Sequence, residues 1–498
     1  MRLVSAFLAL CLAPSMLAAQ TEQSIEAAIG SITARDVAHR VAVLADDSMR
    51  GRNTPSPELE TAAQYIAGEF QRFGLTPGGD DGTFLQRYPI RQVAIDMAAS
   101  GIRFADGTEW RVGQELLAWS GSGEASGVPY VFSGGTGGPS ALEAVPDGAI
   151  LIVTASMQSL RELFPAMQAR EFGAVLLVSH ASQAIWERMA AGQRRPRPQI
   201  GSQDGGTRFF QLRAGALTEL LTAQGLDTAL VNSAADAPFT VTPIEDVQMD
   251  VRLAFETVRD ESAPNVVGIL EGSDPVLKDE YLVFSAHMDH SGTTDQGSCA
   301  ARGADSICNG ADDNASGTVA IVELAEAFAA LHPRPKRSVI FLTVSGEEKG
   351  LWGSAYFAEH PPVPVEQMVA NVNADMVGRN WTDTIVVIGK EHSDLGDTLE
   401  RVNAAHPELN MTAIDDLWPE ENFYNRSDHI HFARRGVPIL FFFNGTHEDY
   451  HQVTDEPEKI DAEKESRIVQ LMLFLGIEIA NAAERPKWNP ESYERVVS

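Results

Sequence analysis

The stretch from Tyr281 to Phe328 constrains the fold more than any other part of the chain. It opens with an apolar run, Tyr281-Leu282-Val283-Phe284-Ser285-Ala286, that reads as a buried strand and ends on His287-Met288-Asp289. A loop of small and polar residues carries Cys299 and Cys308 and leads into Gly310-Ala311-Asp312-Asp313-Asn314-Ala315-Ser316-Gly317. Ile321, Leu324, Ala325 and Phe328 then recur at helical spacing, with Glu323 and Glu326 on the other side. This order predicts an imidazole and carboxylates at the carboxyl end of a strand and beside a helix N-terminus. Open α/β sheets keep their ligand sites there.

From about Glu245 onward, strand and helix patterns alternate as in an α/β sheet. The strand candidates are Val266–Leu270, Leu282–Ala286, Val339–Val344, Val369–Ala374, Ile385–Ile388 and Ile439–Phe443, with a last long helix from about Ala462 to Ala483. Earlier, Ala62, Tyr65, Ile66 and Phe70 share one face of a helix expected over Leu59–Phe73. Between Gly107 and Pro243 the texture changes. Short runs such as Val128–Phe132 and Ala149–Val153 alternate with Gly- and Ser-rich turns, and one helical segment spans Leu160–Phe172. The expected fold class is α/β: a mixed, mostly parallel twisted sheet flanked by helices, with an inserted β-rich domain. The expected divisions are residues 1–19 as an export signal, 20–106 as the first part of the main domain, 107–244 as the insert and 245–498 as the rest of the main domain.

The N-terminus reads Met1-Arg2, an apolar run to Leu17 broken by Pro14-Ser15, then Ala18-Ala19-Gln20. That is the pattern of a secretory signal cut near Ala19, and the run is short for a membrane span. The expected destination is periplasmic or extracellular, without stable membrane insertion. Export would leave Cys299 and Cys308 as the cysteines of the mature chain, nine positions apart, and an oxidising compartment favours a disulfide between them. Two free thiols are the alternative, and a zinc site built from this pair alone would lack ligands. A formal net charge of −31 argues against nucleic acid and anionic membrane surfaces as partners.

Four strand ends carry the residues with chemistry. The first gives His287 and Asp289. Ser338–Ser345 ends on Gly346-Glu347-Glu348, Val369–Ala374 ends on Asp375, and Pro438–Phe443 leads through Asn444 to Tyr450-His451. Asp313 opens a helix. Two imidazoles, two Asp and a Glu match what two divalent ions ~3.5–4 Å apart need, including one shared carboxylate. Nitrogen and oxygen donors together suit Zn²⁺. Of the adjacent glutamates, Glu348 would bind metal while Glu347 holds and passes a proton. Taken singly, each motif has a plain structural explanation, Asp-Asp-Asn being an ordinary helix cap. Their coincidence at strand ends favours the metal. His290, His429, His431 and His447 lie close in sequence and stay open as ligands.

These residues resemble the secreted di-zinc aminopeptidases of peptidase clan MH, a family that includes aminopeptidase Y, bacterial leucyl aminopeptidases, glutamate carboxypeptidase II and glutaminyl cyclases. The resemblance rests on Ala286–His290, Asn309–Gly317, Gly346–Ser354, Asn373–Met376, Ser427-Asp428-His429, and Tyr450-His451 followed by Thr454-Asp455. It extends to Leu44-Ala45-Asp46-Asp47-Ser48-Met49-Arg50-Gly51-Arg52 near the N-terminus. It implies a phosphorylase/hydrolase-like fold holding two Zn²⁺ per chain. Asp313 would bridge them, His287 and Asp375 would complete one site, and Glu348 and His451 the other. Glu347 would be the general base, Asp289 would orient the His287 ring, Tyr450 would stabilise an oxyanion, and Asp428 would support. The insert resembles a protease-associated domain through Phe164–Val178; such domains cover the active-site mouth or restrict substrate size.

The implied activity is removal of N-terminal residues from peptides. Met376, Phe423, Tyr424 and Phe442 are apolar candidates for a side-chain pocket, with core packing as their alternative role. A carboxypeptidase or a one-zinc glutaminyl cyclase is the alternative within the family, although no cluster of arginines marks a site for a terminal glutamate. A non-catalytic binding protein is the alternative outside it, disfavoured because all five ligand positions are intact.

Overall fold

A computed structural model describes residues 22–200, 205–232, 236–296 and 299–497. The export-signal segment and its expected cut near Ala19 lie outside the described residues. The chain forms two compact units, one built from residues up to Tyr88 and from Ser262 onward, the other from Pro89–Glu261. Among the described residues no helix is long and apolar enough to cross a membrane.

The strands of the larger unit are β1 (Leu85–Ile95), β2 (Phe255–Leu270), β3 (Tyr281–His287), β4 (Ser338–Val344), β5 (Met368–Asp375), β6 (Thr384–Ile388), β7 (Thr412–Ile414) and β8 (Ile439–Phe443). The chain leaves this unit in β1 and returns in β2. Leaving aside the short strands Arg197–Gln199, on the outer edge of β1, and Thr76–Pro77, paired with β2, the sheet order is β1-β2-β4-β3-β5-β8-β6-β7. β4, β3, β5 and β8 are parallel to one another, whereas β2 and β6 run antiparallel to their neighbours β4 and β8. The parallel strands are buried almost throughout, which is why β3, β4 and β8 read as mainly apolar runs. β5 differs in carrying Asn371 and Asn373, both buried, with Asn371 bonded to Ser285 and Asn373 to Ser285 and Ser427. β7 carries only three residues, too few to leave a period in the sequence.

The helices that matter for the site are α1 (Ala34–Leu44), α2 (Pro57–Arg72), α3 (Gly317–Ala330), α4 (Trp352–Glu359), α5 (Leu395–Ala405), α6 (His429–Arg434) and α7 (Ala462–Asn481). α2 begins two residues before its expected start. The Ser56 hydroxyl accepts the Leu59 N–H and Pro57 occupies the first turn, where its missing N–H costs nothing. α3 departs from its amphipathic pattern. Glu323, expected on the polar side, is fully buried because α1 packs there and Arg40 donates to both Glu323 and Glu326.

The second unit is wider than the expected 107–244. Gly101–Phe104 pairs with Met249–Leu253, so segments outside those limits close a four-stranded sheet with Glu109–Arg111 and Gly123–Gly127. A six-stranded sheet runs Thr240–Pro243, Pro129–Ser133, Ile150–Thr154, Ala174–Ser179, Arg208–Arg213, Leu116–Ser120. Ile102, Trp110, Val131, Ile152, Leu176, Phe210 and Met249 share its largest core. The expected helix at Leu160–Phe172 begins earlier, at Met157, on a Ser156 cap.

Candidate metal centre

Because β4, β3, β5 and β8 are parallel and adjacent, their carboxyl ends lie side by side. His287 is the last residue of β3 and stands opposite Val344 of β4; Asp375 is the last residue of β5 and stands opposite Phe443 of β8. Past β4, Gly346 turns the chain with φ +75°, and a Cβ there would lie 2.7 Å from the Tyr88 hydroxyl oxygen. Glycine is required to bring Glu347 and Glu348 back over the strand ends. Asp313 is placed by the turn before α3. The Asn314 amide donates to the Ala374 carbonyl at 3.1 Å, and its oxygen accepts from Gly317 and Met376, tying that turn to the end of β5.

The five candidate ligands converge. Nε2 of His287 lies 3.4 Å from Asp313 and 3.3 Å from Asp375. Nε2 of His451 lies 3.1 Å from Asp313 and 3.5 Å from Glu348. Each half of the site uses a different oxygen of Asp313: Oδ1 faces His287 and Oδ2 faces His451. His287, Asp313, Glu348 and Asp375 are buried side chains, while His451 is about one-third exposed. His451 and Met376 take left-handed backbone (φ +56° and +53°), a strained choice for non-glycine residues that recurs at functional sites.

The surrounding residues fall into place unevenly. Glu347 groups with His287 and Asp375, and its N–H donates to Asp289 at 3.3 Å. The Nδ1–H of His287 donates to the carbonyl of Asp289 at 3.1 Å, with the carboxylate 3.8 Å away. The main chain at Asp289 therefore makes the hydrogen bond expected of its side chain, which instead accepts from Thr54. Tyr450 lines the cavity with its ring stacked on His451. Asp428 is fully buried behind Asp375, and the neighbouring Ser427 hydroxyl donates to Asp375 Oδ2 at 2.9 Å. His290, left open by the sequence, sits inside the cluster with Nδ1 2.8 Å from Glu348. His447 instead bonds Asp312, and His429 donates to the Tyr424 carbonyl. The Cys299–Cys308 disulfide closes the loop between His287 and Asp313.

The protein's own charges shape the titration of this cluster. Burial pushes the Glu347 carboxyl well above its ordinary range, with Asp428, Asp375 and Glu348 adding repulsion against the pull of His287. Burial would also raise Glu348, but His290, His451 and His287 outweigh it and hold it at about 2. Burial raises Asp428 to about 7, with Asp375 and Asp289 adding repulsion against the pull of His287. Burial disfavours a charged His287, yet Asp375, Glu347 and Asp313 raise it well above the usual histidine value.

The donor set fits a metal. With Nδ1 donating to Asp289, the other nitrogen of a neutral His287 is an acceptor aimed at carboxylate oxygens. Only a proton or a cation reconciles three converging acceptors. Both ring nitrogens of His290 and one oxygen of Glu348 are buried without an aligned hydrogen bond. No Lys or Arg among the described residues pairs with Asp313, Glu348 or Asp375.

The cavity over these residues is lined by Met376, Phe423, Phe441 and Phe443 on its apolar side. Tyr424 and Phe442, also suggested by the sequence, are not in the lining. On β8 the side chains alternate, so Phe441 and Phe443 face the cavity and Phe442 faces the core.

Residues 265–475 match peptidase family M28. The chain is 28% identical over 261 residues to a probable zinc metalloprotease of Pyricularia oryzae, covering 44% of this chain and 50% of that protein. It is 24% identical over 251 residues to Aminopeptidase YwaD of Bacillus subtilis, covering 48% of this chain and 50% of that protein. The chain thus spans about half the length of the curated relatives it matches. Among solved structures, the aminopeptidase from Aneurinibacillus sp. strain AM-1 shares the fold at a TM-score of 0.50 and 16% identity, over 93% of this chain and 97% of that one. The segment that matches family M28 contains every residue of the cluster from His287 to His451.

Proposed function

We propose that the chain is an exported di-zinc exopeptidase, an aminopeptidase that removes N-terminal residues from peptides. The observation that carries this reading is the division of Asp313 between two groups, each with one imidazole and one further carboxylate. His287 and Asp375 would hold one Zn²⁺, Glu348 and His451 the other, and Asp313 both. Bound zinc supplies Lewis-acid stabilisation of negative charge on the scissile carbonyl and acidifies water.

The remaining work falls to the protein. Glu347, held above its ordinary range by burial, can accept the proton of the attacking water and deliver it to the leaving amine. The Tyr450 phenol, whose own ionisation is suppressed by burial and by Asp313 and Asp375, stays a hydrogen-bond donor for the developing oxyanion. Asp289 holds the His287 ring through its carbonyl, and Asp428, whenever ionised, adds to the repulsion that with burial raises Glu347. Met376, Phe423, Phe441 and Phe443 would receive an apolar N-terminal side chain. Arg426, the guanidinium in the lining, is engaged by Glu421 and lies over Phe423, which argues against a carboxylate-directed carboxypeptidase. Residues 107–244, within the Pro89–Glu261 unit, are read as a protease-associated-like module, and the disulfide agrees with export.

The test is release of leucine from an aminoacyl amide by the purified protein, abolished by a chelator and restored by Zn²⁺. One zinc per chain with pyroglutamate formation would favour the cyclase, and failure to bind zinc at all would end the proposal.

A further inference from the structure

The motif that ends at Arg52 and the Asp455 that follows His451 have no task in the reaction just described, yet both are fully buried beside the metal cluster. Among the described residues no carboxylate lies within ion-pair distance of Arg52, although Asp289, Asp455, Asp313 and Glu348 are near enough to attract its charge. Its Nε–H donates to the Met288 carbonyl at 2.8 Å; its two terminal nitrogens donate to the carbonyls of Leu44, of Asn309 at 2.8 Å, and of Gly310 at 3.0 Å. A buried guanidinium whose hydrogen bonds all go to main-chain oxygens is unusual, because a buried charge is normally paired directly with an opposite one. It is also held in left-handed backbone, φ +46°. The preceding Gly51 passes so close to the Cys308 carbonyl that a Cβ would lie 2.3 Å from it.

Asp455 works from the opposite side of the same turn. Its carboxylate accepts from the Asp312 N–H at 3.0 Å and the Asp313 N–H at 3.1 Å, and its carbonyl accepts from Ala311 at 3.1 Å. The main chain from Asn309 to Asp313 therefore has its carbonyls held by a buried cation and its amides by a buried anion. The same Arg52 reaches the residue after His287, and Asp455 lies four positions beyond His451.

We propose that Arg52 and Asp455 are positioning residues that clamp the Asn309–Asp313 turn, so that the Asp313 carboxylate presents one oxygen to each half of the metal centre. The clamp sets the spacing of the shared ligand from His287 through Arg52 and from His451 through Asp455. This inference rests on the two-zinc reading above. A residue that places a ligand without touching the metal changes metal affinity about 10- to 100-fold when lost.

The experiment measures zinc per chain and zinc affinity by chelator competition, on the full chain, for the wild type, Arg52→Lys, Asp455→Asn and Arg40→Met. Circular dichroism and Tm establish folding, and the absorption of the Co²⁺-loaded proteins reports ligand geometry. Arg40→Met is the control for a buried arginine whose partners Glu323 and Glu326 lie away from the turn. The expected result is that folded Arg52→Lys and Asp455→Asn bind zinc at least about 10-fold more weakly and shift the Co²⁺ spectrum, while Arg40→Met lowers Tm alone. Asp455→Asn keeps size and one acceptor oxygen, so it carries the test should Arg52→Lys not fold. Lowered Tm with unchanged zinc affinity and spectrum, or failure of both variants to fold, would overturn the clamp and leave a purely structural role. A wild type that binds fewer than two zinc ions would instead sink the two-zinc reading.

Discussion

The Asp313 carboxylate stands between two histidines, with Oδ1 3.4 Å from His287 Nε2 and Oδ2 3.1 Å from His451 Nε2. His287 ends β3, His451 lies in the loop that follows β8, and Asp313 comes from the turn before α3. If that carboxylate is the shared ligand, removing it must disturb both halves together. Asp313→Ala is expected to drop zinc content from two ions per chain to one or fewer, while Glu348→Ala spares the His287 side. Metal analysis after dialysis decides this, and retention of both ions by Asp313→Ala would rule out sharing.

Glu347→Gln keeps the shape of the proposed base and removes its proton affinity. The expected outcome is two zinc ions retained, nearly unchanged KM, and kcat lower by roughly 10²- to 10⁴-fold. Full activity in a metal-loaded Glu347→Gln protein would remove Glu347 from the mechanism.

Gly346→Ala tests the turn that delivers both glutamates. The added Cβ would meet the Tyr88 oxygen at 2.7 Å and Trp352 Cβ at 2.9 Å, in backbone with φ +75°. Strain and overpacking together should cost roughly 1–3 kcal/mol. Differential scanning calorimetry should show a lower Tm, and activity should fall with it because Glu347 and Glu348 move.

A pH-dependent term comes from Glu280 and Arg337. The Arg337 side chain is buried and its Nε–H donates to Glu280 at 2.7 Å, with Arg485 at 2.8 Å on the other oxygen. Burial raises the Glu280 carboxyl, but the two guanidiniums outweigh it and hold it below its ordinary value of 4.5. A carboxyl depressed in the folded state stabilises the fold above its unfolded value, and that contribution fades as pH falls below about 4.5. Glu280→Gln should therefore cost roughly 1 kcal/mol at pH 7, because Glu280 and Arg485 are partly solvent-screened and Arg337 keeps its bonds to Ile479 and Ala482. The gap from wild type should narrow through acid titration. Urea melts across pH 3 to 7 read it directly, and a gap independent of pH would refute the assignment.

The sequence alone singled out most of the residues that the structure brings together. Parallel strands buried on both faces are rich in apolar residues, and ligand sites gather at their carboxyl ends, so His287, Glu347, Glu348, Asp375 and His451 were legible as punctuation after such runs. Asp313 was legible as the opening of a helix. What the sequence could not decide depends on which segments meet across long separations. The burial of Glu323 required knowing that Arg40 lies across it, 283 positions away. The place of His290 against Glu348, the Asp289 carbonyl as the partner of His287, and the choice of Phe441 and Phe443 over Phe442 follow from register and rotamer. The unit boundary at Pro89 and Glu261 follows from Gly101–Phe104 pairing with Met249–Leu253. Arg52 and Asp455 show the same limit: each satisfies main-chain groups, and main-chain groups are identical at every position, so only the tertiary structure can say which of them a side chain holds.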